Sequence, residues 1–146
     1  MGTGGPLGTA TDANGLLLVQ LLSPAFPTGA FAYAQGLEWA MDSGAVRDAA
    51  SLAAWVADVL EHGGGWSDAV LLSLSLRPGA DHTALDDLAR ALCLTAERLT
   101  ETLEQGAAFA RTAAALTGTE ASPAALPVAV GRACAPLGQP AAQVIA

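Results

Sequence analysis

Apolar residues recur along this chain at the spacing of α-helices. One set repeats at i, i+3, i+4, i+7 and i+8, as expected for a helix that buries one face: Leu52, Trp55, Val56, Val59 and Leu60. A second set has heptad-like spacing, typical of a stripe packed against other helices: Leu85, Leu88, Leu92, Leu99 and Leu103. No stretch sustains the period-two alternation of a half-buried strand. The pattern predicts an all-α, single-domain bundle of about six to seven helices.

Capping residues, glycines and prolines divide this pattern into elements. We expect N-caps at Asp48 and Ser67, a helix start at Asp81, and Pro127 in the first turn of the last helix. Helices are expected to end at Gly44, at the run 63–65, at Pro78-Gly79 and at Gly118. The predicted helices are therefore 15–22, 30–43, 49–62, 67–76, 81–116 with a bend near 95–99, and 127–137. Residues 1–14 are expected to form a flexible tail, and residues 15–146 one domain.

A rigid turn is predicted between the first two helices. Pro24, Pro27 and Gly29 fall within six positions, and proline restricts both its own φ and the residue before it. Gly29 permits a backbone conformation that other residues resist. The stretch after this turn carries aromatic, amide and carboxylate side chains suited to a contact surface: Phe31, Tyr33, Gln35, Glu38 and Trp39.

A shared binding face does not follow from this spacing alone. Tyr33 and Gln35 diverge by about 200° around a helix, so Tyr33, Gln35 and Glu38 do not share one face. An alternative is that these side chains cap and brace the turn over 23–29. Phe26, Phe31, Leu37 and Trp55 are expected in the core.

The charged residues exclude several classes of protein. All six basic residues are arginines, so the chain has neither the lysine of a nucleotide-binding P-loop nor a Schiff-base lysine. The net charge of -8 argues against nucleic-acid binding and favours a basic protein partner.

Candidate catalytic and metal-binding groups form no known motif. His62 and His82 lack partners at metal-ligand spacing, and Cys93 and Cys134 are expected to be free thiols. The carboxylate pairs at 86–87 and at 101 and 104 are interpreted as solvated helix faces. We therefore expect no enzyme, no metal site and no cofactor. The short apolar run 16–22 and the absence of a targeting signal predict a cytoplasmic protein without a membrane contact.

One segment resembles a known family. SPAFPTGAFAYAQGLEWA at 23–40, followed by Gly44 and Val46-Arg47-Asp48, resembles the N-terminal signature of UreF, a urease accessory protein. The resemblance continues more weakly through Trp55, Asp68 and 97–106. It implies an all-helical, non-catalytic scaffold in urease maturation, which binds UreD (also called UreH) and recruits or regulates the GTPase UreG. It also implies contact with the urease apoprotein through that complex, with nickel handled by the complex.

The resemblance assigns roles to individual residues. Glu38 becomes a charged interface anchor, and Asp68 is the second choice. The other residues matched to partner binding are Tyr33, Gln35, Glu101 and Gln105. The residues matched to a structural role in the motif are Pro24, Pro27, Gly29, Gly36 and Trp39.

The resemblance also implies a difference at the end of the chain. UreF-like chains continue through further helices, so this chain is expected to lack the family's C-terminal helices. We expect exposed apolar surface there that favours a homodimer, near Val128, Val130, Leu137 and Val144. Two alternatives stay open: a small ligand-binding or catalytic bundle with a cavity along Leu85 to Leu103, and a non-functional truncated UreF remnant.

Overall fold

The computed structural model describes residues 10–30 and 36–145, and within these ranges it contains helices and no strand. The all-α prediction is therefore confirmed. The α-helices are α1 (Ala10–Leu21), α2 (Leu37–Asp42), α3 (Ala49–His62), α4 (Gly64–Ser75), α5 (His82–Ala91), α6 (Ala96–Thr117), α7 (Leu126–Cys134) and α8 (Ala141–Ile145). A short 3₁₀ helix, Ala135–Leu137, joins α7 to α8.

Three helices begin at residues other than those predicted. α1 begins at Ala10 rather than Gly15. α2 begins at Leu37 rather than Ala30, because Gly36 at its N-cap has a left-handed backbone with φ of 81°. α4 begins at Gly64, so only Gly63 separates it from α3. Ser67 consequently lies inside α4 rather than capping it, and its hydroxyl donates to the Gly64 carbonyl at 2.9 Å.

Two predicted helix starts are confirmed by their hydrogen bonds. Asp48 Oδ1 accepts from the Ser51 amide at 2.8 Å, and the Ser51 hydroxyl accepts from the Asp48 amide at 3.1 Å, which completes a capping box. Asp81 Oδ1 accepts from the amides of Thr83 and Ala84 at 3.1 and 3.0 Å. Both carboxylates satisfy amides that have no partner within the helix.

The long segment predicted over 81–116 is two helices. α5 ends at Ala91 and α6 begins at Ala96, so the expected bend is a break over 92–95. Thr95 is the N-cap of α6, and its hydroxyl accepts from the Arg98 amide at 3.1 Å. The break leaves Leu88 and Leu92 about half exposed, whereas Leu85 and Leu103 pack against the core.

Removing the Thr95 cap should destabilise the protein measurably. We expect Thr95→Ala to lower the free energy of unfolding by about 1 kcal/mol, because the Arg98 amide then loses its side-chain acceptor. Thr100→Ala is the matched control, because Thr100 is exposed inside α6 and alanine is the better helix former there. Urea titration of both variants measures the difference. Equal stability of the two variants would contradict the capping role.

The core lies where α7 packs against α4 and α6. Its most buried members come from these three helices, from α1 and from the segment before α7, and include Leu21, Leu71, Phe109, Ala125 and Val128. Val128 and Val144 are buried, so the prediction that they form an exposed apolar surface is wrong. Both side chains belong to the core cluster formed by the described residues.

The proline-rich turn is ordered and attached to this core. The Phe26 amide donates to the Ser23 carbonyl at 2.8 Å, and the Thr28 amide donates to the Phe26 carbonyl at 2.8 Å. Gly29 has φ of 77°, in the left-handed region that favours glycine. The Phe26 ring lies 4.9 Å from that of Phe109, centroid to centroid, so α6 anchors the turn. Pro24 and Pro27 remain exposed on its outer side.

Candidate partner-binding site

Three of the predicted site residues belong to one side-chain network between α4 and α6. Asp68 on α4 forms an ion pair with Arg98 on α6. Arg98 Nη1 lies 3.4 Å from Glu101 Oε2, and Gln105 Nε2 donates to Glu101 Oε1 at 3.1 Å. Arg98 therefore links the predicted residues Asp68, Glu101 and Gln105, although the sequence did not single out Arg98 itself.

Burial governs the chemistry of this network. Glu101 is only 8% exposed and Gln105 is buried beside it, so the interpretation of Glu101 as a solvated helix face is wrong. Burial raises the pKa of Asp68 above its ordinary value; Arg98 opposes that shift, and Glu101 adds to it. Arg98 therefore only partly offsets the cost of burying this carboxylate, and Asp68, which is paired with Arg98, is not a free anchor for a partner.

A small cavity of about 220 Å³ adjoins the network. Its lining includes His62, Cys93 and Arg98. Among residues 10–30 and 36–145, no three His, Cys, Asp or Glu side chains lie close enough together to hold a metal ion. Ala89, Leu92 and Thr102 also line it, so the cavity lies along the middle of the Leu85 to Leu103 stripe, in the region where the alternative function places a ligand or catalytic cavity.

The second predicted site lies on α2, apart from this network. Glu38 is exposed in the first turn of α2, where a carboxylate interacts favourably with the helix dipole. Trp39 follows it and is 74% exposed, which is unusual for so large an apolar side chain. Gly36, with its left-handed backbone, is the N-cap of this helix. Tyr33 and Gln35, like Phe31, lie outside the residues that the structure describes.

The sequence also missed two side chains that build the site's framework. Asp86 Oδ1 accepts from the Ala125 amide at 2.6 Å, and Thr102 Oγ1 accepts from the Leu126 amide at 3.1 Å. They satisfy the N-terminus of α7, whose own N-cap residue, Ala125, has no side-chain acceptor. The interpretation of Asp86 as a solvated carboxylate is therefore wrong. The sequence does contain one indication of these contacts. The residues Ala-Leu-Pro at the start of α7 have no side chain that accepts a hydrogen bond, so the amides there need acceptors from other elements.

Comparison with known proteins agrees with the resemblance of residues 23–40. The UreF family profile matches residues 46–146. Urease accessory protein UreF of Paracoccus denitrificans is 65% identical over 134 residues, which cover 92% of this chain and 62% of that protein. UreF of Cereibacter sphaeroides is 65% identical over 131 residues, 90% of this chain and 62% of that protein. UreF of Roseobacter denitrificans is 49% identical over 132 residues, 90% of this chain and 59% of that protein.

This chain thus spans about three fifths of the length of these relatives. No solved structure matches it. Among the described residues, no helix is both long and apolar enough to span a bilayer. The profile match and these identities, each extending over most of the chain, place it in the UreF family of urease accessory proteins.

Proposed function

We propose that this protein is a non-catalytic scaffold in the nickel-dependent maturation of urease in the cytoplasm. It binds UreD and recruits or regulates the GTPase UreG, and through that complex it acts on the urease apoprotein. The observation that supports this proposal most is the 65% identity to a urease accessory protein over 92% of the chain. Under this proposal we expect nickel to be handled by the complex rather than by a dedicated site on this chain.

The site residues divide into two roles under this proposal. Asp68, Glu101 and Gln105 hold α4 and α6 together through Arg98, so they shape the surface that a partner meets. Glu38 is exposed and contacts the partner directly, with a carboxylate suited to a partner's arginine or lysine. Trp39 beside it supplies apolar area of the kind that carries much of the binding free energy at interfaces.

Regulation of a GTPase by such a surface has a thermodynamic requirement. The scaffold must bind one nucleotide state of UreG more tightly than the other, since a partner with equal affinity for both states shifts neither. The chain has no lysine with which to build a P-loop of its own, so hydrolysis belongs to the partner.

The direct test is co-purification of tagged chain with UreD and UreG from the same genome, followed by size exclusion with light scattering. We expect a stable complex with UreD, joined by UreG when GTP and Ni²⁺ are present. GTP hydrolysis by UreG is then measured with and without the chain. Absence of any complex, together with unchanged hydrolysis at saturating concentration, would reject the scaffold in favour of a non-functional remnant.

Glu38→Ala should weaken complex formation with UreD or UreG by about tenfold, the effect of losing one charged contact at an interface. Because Glu38 is exposed and contributes only its interaction with the α2 dipole, its removal should lower the free energy of unfolding by less than about 1 kcal/mol. Asp42→Ala is the matched control, being an exposed carboxylate at the other end of α2. Equal effects of the two substitutions on binding would assign the result to net charge rather than to Glu38.

A further inference from the structure

A cavity of about 500 Å³ lies between α6, α7 and the short 3₁₀ helix that follows α7, and we call it the α6–α7 cavity. Five alanines of the two α-helices line it: Ala110, Ala113, Ala114, Ala129 and Ala133. Pro136 and Leu137 add apolar wall. Because an alanine side chain ends at Cβ, the helices leave space between them. The volume lies in the range of small-molecule sites, roughly 300 to 1,000 Å³.

Hydrogen bonds within the chain hold the walls of the α6–α7 cavity. Asn14 of α1 donates through Nδ2 to the Leu137 carbonyl at 3.2 Å, which ties the 3₁₀ helix to α1. Thr117 Oγ1 donates to the Ala113 carbonyl at 2.9 Å. Asn14 and Thr117 both line the cavity, so their polar groups already serve the fold.

Arg132 is the one cation among the described residues that line the α6–α7 cavity. Its side chain is half-buried, and Nη1 donates to the Ser122 carbonyl at 3.3 Å and to the Ser122 hydroxyl. No carboxylate among the described side chains pairs with this guanidinium. Within the same part of the chain, its Nε and Nη2 donors have no acceptor. Arg132 therefore has donors left for a ligand.

The other five arginines of the chain have a different environment. Arg98 is also half-buried, but it lies between two carboxylates. The rest are exposed, where water solvates the charge: Arg47, Arg77, Arg90 and Arg111. A partly buried charge without a counter-charge is costly. Acidic residues outnumber basic ones by fourteen to six, so the lack of a carboxylate at Arg132 does not come from a shortage of them.

One carboxylate, Glu120, also lines the α6–α7 cavity. It is exposed, and no ion pair joins it to Arg132, although the structure describes both side chains. Water and salt screen an exposed charge more strongly than a half-buried one. The positive charge of Arg132 therefore dominates inside the cavity, which favours an anion over a cation.

We infer that the α6–α7 cavity binds a small apolar carboxylate, of which a medium-chain fatty acid is the simplest case. Its two oxygens accept from Nε and Nη2 of Arg132, a geometry in which arginine holds a carboxylate well. Its apolar body lies against the alanines. A phosphate fits less well, because its second negative charge would face Glu120 without a second cation.

This inference goes beyond the proposed function and can fail separately from it. The described residues assigned to partner binding lie outside the α6–α7 cavity, and the test contains neither UreD nor UreG.

The test is isothermal titration calorimetry of the whole chain with octanoate at neutral pH. Three comparison ligands separate the contributions. Octylammonium has the same apolar chain with a positive charge, 1-octanol has no charge, and acetate has the carboxylate without the apolar chain. We expect octanoate to bind at least about tenfold more tightly than octylammonium or acetate.

Variants at Arg132 test the recognition of the carboxylate. Arg132→Met should weaken octanoate binding by about tenfold and leave 1-octanol binding unchanged, because methionine keeps much of the apolar stem. Arg111→Met is the matched control and should change neither, since Arg111 is an exposed arginine of α6 outside the cavity lining.

Variants at the alanines test the place of the apolar body. Ala133→Leu puts a larger side chain into the cavity and should weaken octanoate and 1-octanol alike. Ala115→Leu is the matched control and should leave both unchanged, because Ala115 is exposed on α6 and does not line the cavity.

Several results would overturn the inference. They are no binding of octanoate, equal binding of octylammonium, or equal effects of Ala133→Leu and Ala115→Leu. Unchanged octanoate binding in Arg132→Met would also overturn it, and so would a loss of 1-octanol binding in that variant, since Arg132 would then only shape the wall. Glu120→Gln should leave octanoate binding unchanged or tighten it; weaker binding would contradict the assigned charge.

Discussion

Replacing Gly106 by alanine is expected to lower the free energy of unfolding by about 3 kcal/mol. Gly106 lies in α6 where the segment entering α7 crosses it, and a Cβ atom there would lie 1.9 Å from the Ala124 carbonyl oxygen. The Leu126 amide nitrogen would lie at 2.8 Å. These are backbone atoms, so no side-chain rotation relieves the overlap and the two segments must move apart. Urea titration measures the loss.

Gly15→Ala is the matched control for this prediction. Gly15 also lies within a helix, α1, but a Cβ atom there would have no atom within 4 Å. Alanine is the better helix former by about 1 kcal/mol, so Gly15→Ala should be neutral or stabilising. If Gly106→Ala were as stable as Gly15→Ala, the close crossing of α6 by the segment before α7 would be disproved.

Replacing Arg98 by methionine is expected to have the second large effect, a loss of about 3 kcal/mol at neutral pH. Arg98 is the cation that joins Asp68 to Glu101, and its removal takes the positive charge away from the buried Glu101 and the half-buried Asp68. Methionine retains much of the packing of the arginine stem, so the loss of stability measures mainly the effect of removing the charge. Arg90→Met is the control. Arg90 is 43% exposed, against 24% for Arg98, and its ion pair joins residues of one helix at i and i+4, so about 0.5 kcal/mol is expected.

The pH dependence of Arg98→Met distinguishes charge from packing. Without Arg98, the pKa of Asp68 in the folded state should lie above its pKa in the unfolded chain, because burial and the neighbouring Glu101 both favour the protonated form. The folded state then binds more protons than the unfolded state between those pKa values. Stability should fall as pH rises through this window and recover as pH is lowered towards about 4. A loss that is the same at every pH would show that packing, not charge, is the cause.

Some features that depend on neighbouring residues were predicted from the sequence, whereas the contacts between distant residues were not. The N-cap at Asp48 and the helix start at Asp81 depend on contacts over two or three residues, and both are present. The break before α6 was not foreseen as a break, because leucines at helical spacing continue across it from Leu88 to Leu99. The Thr95 side chain nevertheless caps the N-terminus of α6, so a new helix begins there in spite of the leucine spacing.

The same distinction applies to the site. Glu101 and Gln105 are four residues apart, so their contact could be read from helical spacing. Asp68 and Arg98 are thirty residues apart and meet only because α4 and α6 both pack against α7. Sequence patterns could mark Asp68 as polar but not identify its partner. The exposure of Trp39 likewise depends on where α2 lies in the fold.

The N-terminus of α7 has a consequence for how the chain folds. Its first amides are satisfied by Asp86 of α5 and Thr102 of α6, and its own N-cap is alanine. An isolated nine-residue helix is already too short to be stable in water, and this one also lacks a local cap. Secondary structure in α7 and its docking onto the earlier helices are therefore a single cooperative step. These acceptors lie 24 and 39 residues earlier in the chain. We therefore expect α7 to form only after α5 and α6 have formed and come together.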